Sequence, residues 1–180
     1  MKLFILTKCV SGREKCEPTC KVFFSEEAAE KGMEEDIQES VRVCADKHEI
    51  SPSKIEPKKS QGAIVFQIYD DTYAWKIKAA ELELNPGDVT YVLLHAYNGG
   101  CIAYAEARPF TNKKEVDAAM NNSFQDALEM WRLMKGKTLF KNVESLIMED
   151  FAQIQHENED LTFLLNHSKI SGNCSIQERM

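Results

Sequence analysis

The two halves of this chain repeat one order of apolar patterns, and no other feature of the sequence restricts its fold as strongly. Phe24-Ser25 matches Phe110-Thr111 at an offset of 86 residues. The later matches are Met33 with Met120, Ile37 with Phe124 and Cys44 with Trp131 at an offset of 87, then Phe66 with Ile154, Trp75 with Phe163 and Ile77 with Leu165 at 88. Small loop insertions would explain why the offset rises from 86 to 88 residues along the chain. Any two halves of this composition can be aligned by eye, but these matches fall on predicted buried positions, which favours a tandem duplication.

Each half has strand patterns on both sides of one helix pattern. Residues 3–7 and 20–24 are short apolar runs that predict strands. Ser25 is a predicted helix N-cap, with acidic residues in the first turn where the positive helix end favours them, and the helix extends to about residue 46. The apolar stripe of this helix is Ala29, Met33, Ile37, Val41 and Cys44.

A polar connection with two prolines follows, and alternating apolar residues then predict a hairpin around the turn Asp70-Asp71-Thr72. The second half repeats this order. It has two strands, a helix capped by Thr111 and a last hairpin formed by residues 146–156 and 161–167. The stripe of the second helix is Val116, Met120, Phe124, Ala127 and Trp131.

These patterns predict an α+β protein built by tandem duplication of a ββαββ unit, with antiparallel sheets and one long helix in each half. The first repeat is predicted to span residues 1–84 and the second residues 85–170, with a polar tail at 171–180. The turn Asn85-Pro86-Gly87-Asp88 is the natural midpoint. The two sheets could pair edge to edge or pack face to face. Either arrangement leaves a groove between the halves, and the pattern alone does not choose between them.

Composition excludes several classes of function. A hydrophobic fraction of 43% is enough for a core, and the net charge of −7, spread over both halves, disfavours attraction to nucleic acid or to an anionic membrane. No apolar run reaches the ~18–20 residues of a membrane span. The start, MKLFILTKCVSG, is too short in apolar residues for a secretory signal. We therefore expect a cytoplasmic protein with no nucleic-acid or membrane partner and with reduced cysteines.

Cysteine and histidine spacing gives two hypotheses of low specificity. Cys16, Cys20, Cys44 and His48 imitate a four-ligand zinc set, but neither pair has the spacers or glycines of a zinc knuckle, and Cys44 falls on the apolar helix stripe. The loop with Cys9, Cys16 and Cys20 is flanked by basic residues, which would favour thiolates if these thiols are exposed. We expect no metal, no cofactor and no required disulfide.

No catalytic constellation stands out. A nucleophile at Cys101 or Cys44 would need a base, and three of the four histidines lie on predicted strands of the second half. They are His95, His156 and His167. Asp70-Asp71 and Glu149-Asp150 are acidic pairs, of which the first is explained by turn chemistry. The acidic residues of the first helix are most simply explained as its solvent-exposed (wet) face. They are Glu26, Glu27, Glu30, Glu34, Glu35, Asp36 and Glu39. Basic residues look dispersed, with Lys58-Lys59 as an isolated pair, and no phosphate-binding glycine loop is present.

The first half carries one resemblance. The segments FSEEAA…MEEDI (Phe24 to Ile37) and DDTYAWKI (Asp70 to Ile77) resemble small uncharacterised proteins of gut bacteria and their mobile elements. These residues build the fold, so the resemblance implies no activity and assigns no functional residue.

The sequence therefore predicts a non-enzymatic binding or regulatory module, with no catalytic, cofactor or metal residue assigned. Its partner would be a protein or a small ligand held in the groove between the halves. One alternative is a thiol- or metal-dependent enzyme that uses the Cys9/Cys16/Cys20 loop. Another is an acidic inhibitor that mimics nucleic acid.

Overall fold

The structure is a computed structural model that describes residues 1–12, 16–60, 62–84, 88–99, 103–139, 144–156 and 159–169. Within these ranges the first half contains β1 (Lys2–Ser11), β2 (Cys16–Phe23), α1 (Glu26–Lys47), a 3₁₀ turn (Pro52–Lys54), β3 (Lys58–Ser60), β4 (Ala63–Ile68) and β5 (Asp71–Glu81). The second half contains β6 (Val89–Gly99), β7 (Ala103–Phe110), α2 (Lys113–Leu139), β8 (Glu144–Ile147), β9 (Phe151–His156) and β10 (Glu159–Lys169). The predicted midpoint turn at 85–87 and the tail at 171–180 lie outside the described residues.

Both halves have the same topology, which confirms the predicted α+β class. Sheet A has the strand order β2-β1-β5-β4-β3, sheet B has the order β7-β6-β10-β9-β8, and the pairs are antiparallel. Each half also has one additional short strand, so the repeat is ββαβββ. β3 was not predicted, whereas β8 overlaps the start of the strand predicted over residues 146–156. The sequence of β3, Lys-Lys-Ser, has no apolar residue, which is why it predicts no strand.

Strand register relates the two halves residue by residue. The equivalent cross-strand pairs are Leu6–Ile77 and Leu93–Leu165 in the centre, and Phe66–Tyr73 and Ile154–Leu161 in the hairpins. The strand pairing of β4 with β5 and of β9 with β10 therefore follows the offset of 88 residues that the sequence shows.

One helix covers the outer face of each sheet. On sheet A, Trp75 is fully buried beneath α1, and on sheet B, Phe163 is fully buried beneath α2. These two residues are equivalent, as the offset predicts. The buried residues of the first cluster are Leu6, Cys44, Ala45, Ile55, Phe66, Tyr73 and Trp75. Those of the second are Leu93, Val116, Met120, Phe124, Trp131, Ala152, Ile154, Leu161, Phe163 and Leu165.

The helix starts are also equivalent, with one correction. The Ser25 hydroxyl accepts a hydrogen bond from the backbone N–H of Ala28 at 3.2 Å, as predicted. In the second half the cap is Asn112 and not Thr111. The Asn112 side chain accepts from the backbone N–H of Lys114 at 2.8 Å, and its carbonyl accepts from Val116. Asn is as good an N-cap as Ser, and it restores the offset of 87 residues at the helix start.

The two sheets pack face to face, which decides the alternative that the sequence left open. The contact joins Leu3, Ile5 and Val22 of sheet A to Val92, Leu94 and Ala107 of sheet B. β1 and β6 therefore carry apolar residues on both faces, and stacking the sheets removes the inner faces from water. The molecule has four layers, in the order α1, sheet A, sheet B and α2.

The stacked sheets are offset from each other. β2 packs on β6 and β10, and β7 packs on β1 and β5. Since β2 and β7 are equivalent strands, each half makes the same contacts with the other half. The inner face of sheet A that lies beyond β7 consequently has no strand of sheet B above it in the described part of the chain. Among the described residues, neither helix is long and apolar enough to cross a membrane.

Candidate functional site

The uncovered part of the inner face of sheet A carries three lysines. Cross-strand register places Lys58 opposite Val65, which is opposite Ala74 in turn, and side chains of directly opposite residues share a face. Lys76 and Lys78 follow Ala74 at intervals of two residues and lie on this face as well. All three lysine side chains are exposed.

No acidic residue accompanies these lysines on the same face of β3, β4 and β5. The other residues there are Ser60, Ala63, Val65, Gln67, Thr72, Ala74 and Ala80. Within the described residues, none of the three lysines forms an ion pair, whereas Lys8, Lys47 and Lys113 each do. A protein of net charge −7 thus has a locally basic surface, and no residue that the structure describes pairs with its three lysines.

β7 forms one wall beside this surface. A cavity of about 160 Å³ lies where β7 meets β1 and β5, and it is lined by Thr7, Lys76, Ile77, Lys78, Ala105, Glu106 and Ala107. The side chain of Glu106 shares the outer face with its cross-strand partner His95, so β7 presents backbone and small alanine side chains to the cavity. We call the cavity and the lysine-bearing face together the basic groove.

Thr7 joins the two sheets at the bottom of the groove. Its Oγ1 lies 3.2 Å from the backbone carbonyl of Lys76 in sheet A and 3.4 Å from that of Ala105 in sheet B. One hydroxyl proton can be donated to either carbonyl. This contact fixes the position of β7 over the floor of the groove.

The equivalent positions of the second half have different chemistry. The positions that match Lys58, Lys76 and Lys78 are Leu146, Leu164 and Asn166. Leu164 packs against the contact between the sheets, and the amide of Asn166 lies 3.7 Å from the Cys20 sulfur, where it can donate a weak hydrogen bond. Leu146 is 51% exposed. The duplicated scaffold therefore places three lysines in the first half where the second half has two leucines and an asparagine.

A second polar cluster lies beneath α1 and serves the packing of the helix. Asp36 accepts a hydrogen bond from Trp75 Nε1 at 2.6 Å and lies 3.2 Å from Lys8 Nζ, which also donates to Ser40 at 2.9 Å. The prediction that Asp36 belongs to the wet face of α1 is wrong, because the indole of buried Trp75 needs an acceptor. The other predicted wet-face acids are exposed.

A third cluster joins the end of α1 to the start of β5. Lys47 Nζ donates to Asp71 at 2.6 Å, and His48 Nε2 lies 3.6 Å from the same carboxylate oxygen. Asp71 is thus part of an ion pair and not only a turn residue. Burial raises the pKa of the neighbouring Cys44 thiol, which therefore stays protonated and is a poor nucleophile.

The four residues that imitate a zinc set in the sequence do not come together, as far as their described side chains show. Cys44 lies on the outer side of sheet A beneath α1, while Cys20 lies on the inner side, so the sheet separates them. No group of three or more potential metal ligands occurs in the ranges that the structure describes. The side chain of Cys16, together with Cys101 and Cys174, lies outside the described residues.

Two of the three loop thiols, Cys9 and Cys20, are not the exposed thiolates that the redox hypothesis needs. Cys9 is fully buried between the sheets, beside Ala96 and Ala105. Burial also raises the pKa of Cys20 to about 11, although the hydrogen bond from Asn166 opposes this shift. The raised pKa favours the unreactive thiol at Cys20, and burial removes Cys9 from solvent.

The three histidines of the second half are on strands, as predicted. His95 stacks on Phe163 with ring centroids 4.9 Å apart, and burial lowers its pKa. His156 and His167 are on β9 and β10, and their side chains lie outside the described residues. Glu149 and Asp150 are exposed residues within 4 Å of Lys113, where water screens their charges.

The basic groove is what sequence reasoning missed. Basic residues look dispersed along the chain because Lys58 lies on a strand with no apolar signal and Lys76 and Lys78 occupy alternate positions of another strand. The alternation of Lys76 and Lys78 was the available signal, since it places both on one face. Their approach to Lys58 depends on the register of β3 and β4.

Comparison with known proteins adds no relative. No protein-family model matches the chain, and neither the curated proteins nor the solved structures contain a match. The resemblance to small proteins of gut bacteria stays a prediction.

Proposed function

We propose that this protein is a non-enzymatic binding module that holds an acidic, extended segment of a partner protein in the basic groove. The observation that carries this proposal is a set of three exposed lysines, Lys58, Lys76 and Lys78, on the part of sheet A that sheet B leaves uncovered, where no described residue forms an ion pair with them.

Electrostatics supports an acidic partner. The exposed face of α1 and the net charge of −7 repel acidic molecules over most of the surface, whereas the groove attracts them. A patch of one sign within a surface of the other sign selects both the partner and its orientation.

The dimensions favour a protein segment over a small ligand. Small-molecule sites typically enclose about 300–1,000 Å³, whereas the cavity at the sheet junction has about 160 Å³. The groove beside it follows β7, whose eight residues correspond to a length of about 26 Å. An extended segment of about seven residues matches this length.

Charge reversal tests the proposal. The probe is a fluorescently labelled heptapeptide in which Glu alternates with Thr, and its affinity is measured by fluorescence anisotropy at low and at physiological salt. We expect the double variant Lys76→Glu/Lys78→Glu to bind at least roughly tenfold more weakly, because several charges face the peptide.

The matched control is Lys59→Glu. Lys59 is exposed on the same short strand as Lys58 but lies opposite Ile64 on the other face. We expect this variant to bind within roughly twofold of the wild type, because the charge lies outside the groove. Equal losses in both variants, or no binding to the wild-type protein, would contradict the proposal. Thermal melts confirm that each variant is folded, and Lys76→Gln/Lys78→Gln replaces the double reversal if it is not.

A further inference from the structure

We infer that the acidic segment binds by strand addition, pairing with the free edge of β7 as a sixth strand of sheet B. This inference rests on the proposed function and specifies how the partner is held. It concerns the backbone of β7, whereas the proposed function concerns the lysines of sheet A.

β7 has a free edge in the described part of the chain. It is the terminal strand of sheet B and pairs with β6 alone. The outward N–H and C=O groups of such a strand are a template for another extended chain. Three residues in the middle of β7, Ala105, Glu106 and Ala107, line the cavity beside this edge.

Proline makes β7 a better template than β2, the equivalent edge of sheet A. Pro18 lies in the middle of β2, opposite Cys9, and removes a donor there. In β7 the proline is Pro109, next to the last residue of the strand, so the six residues from Ala103 to Arg108 are free of proline. The strand edge without a central proline is also the one that borders the lysines.

The position of an added strand explains why the facing surface of sheet A is basic. Neighbouring strands lie about 4.8 Å apart, and stacked sheets lie about 10 Å apart. Because β7 packs on β1 and β5, a strand added beyond it would lie above β5 and β4. Every second side chain of that strand would then point at the face that carries Lys58, Lys76 and Lys78. If acidic residues occupy alternate positions, the added strand can pair its backbone with β7 and place its carboxylates opposite the lysines.

The side chains on the other face of the added strand would have few neighbours that restrict their size or charge. They would continue the outer face of sheet B beside Glu106 and Arg108, both of which are exposed. Arg108 Nη2 lies 3.4 Å from Ser123 of α2, so the helix approaches this face from the β6 side. Uncharged polar residues such as Thr suit these positions and have a high preference for strands.

Backbone methylation of the peptide tests strand addition separately from charge. Alternate amides of a strand point to opposite edges, so N-methylation of one alternate set blocks pairing with β7 and methylation of the other set blocks only the solvent edge. Both methylated peptides keep the Glu side chains of the probe. We expect one to lose roughly tenfold or more in affinity, since each missing hydrogen bond costs about 2- to 10-fold, and the other to stay within roughly threefold.

Failure of the inference and failure of the proposed function differ in this experiment. If both methylated peptides bind as well as the parent, or both lose affinity equally, strand addition is overturned while charge-dependent binding still stands. If the parent peptide does not bind, or binds independently of Lys76 and Lys78, the proposed function fails first and strand addition fails with it.

Amide hydrogen exchange with the parent peptide provides a second readout. We expect slower exchange at alternate amides of β7 and no change at β2. Protection at β2 instead of β7 overturns the inference. A dimer whose β7 amides are already protected in the free protein also overturns it, because the occupant of the edge is then a second copy of this chain.

Discussion

At the scale of single residues, the two halves place different chemistry at one equivalent position. Lys8 and His95 are equivalent residues of the central strands β1 and β6. Lys8 Nζ lies 5.8 Å from the centre of the Trp75 ring and pairs with Asp36. His95 stacks on Phe163 and stays neutral because burial lowers its pKa. In each half an aromatic ring covers the polar group, and in the first half the lysine is also paired with an inward acid of the helix, Asp36.

Cys20 allows a prediction at the same scale. Burial raises its pKa from about 9 to about 11. Between these values the unfolded chain loses the thiol proton while the folded chain keeps it, so stability falls as the pH rises. We expect this residue to lower the free energy of unfolding by about 2 kcal/mol between pH 8 and pH 11.

Urea unfolding of the wild type and of Cys20→Ala at both pH values measures this difference. The variant keeps all other alkaline titrations, so the comparison isolates the one thiol. An equal loss of stability in the two proteins would show that Cys20 ionises normally in the folded state.

At the scale of elements, the helix starts show how local rules set the repeat. α1 and α2 begin 87 residues apart because Ser25 and Asn112 are both good N-caps, each followed by a helix with an inward apolar stripe. The sequence contains two adjacent candidates, Thr111 and Asn112, and only the backbone geometry distinguishes them.

Removing the caps tests this assignment. We expect Ser25→Ala and Asn112→Ala each to reduce the free energy of unfolding by about 1 kcal/mol, because each leaves a helix N–H without its side-chain acceptor. Thr111→Ala is the matched control, and we expect a change below about 0.5 kcal/mol since Thr111 is exposed. Chemical denaturation measures all three. A larger effect at Thr111 than at Asn112 would restore the original prediction.

At the scale of the whole molecule, stability depends on the contact between the sheets. Leu3 and Ile5 of sheet A and Leu94 of sheet B are fully buried there. Burying an apolar side chain of this size contributes about 1.5–3 kcal/mol. Several such residues on each inner face make the two halves dependent on each other.

An isolated half tests this dependence. We expect a fragment of residues 1–84, at concentrations where it is a monomer, to lack the cooperative thermal transition of the whole chain, because its inner face is then exposed to water. Circular dichroism melts combined with analytical ultracentrifugation provide the measurement, and the intact protein is the control. A monomeric fragment with a cooperative melt close to that of the intact protein would show that each half is stable alone.

The candidate site shows where sequence reasoning stops. The prediction of a groove between the halves followed from the duplication, and the alternation of Lys76 and Lys78 is visible in the sequence. Which strands border the groove depends on the offset of the stacked sheets. That offset is set by packing between residues more than 80 positions apart, such as Thr7 and Ala105.

The sequence by itself determined the order of the helices and the longer strands, the buried stripes of both helices and the equivalence of Trp75 with Phe163. Periodicity, capping and turn residues act over a few neighbouring positions, so they can be read along the chain. Only the tertiary structure decided that the sheets stack face to face, that Asp36 turns inward to Trp75, and that the lysines of β3 and β5 share an open face. Each of these depends on which distant surfaces exclude water together, and an apolar pattern specifies that a face is buried without specifying its partner.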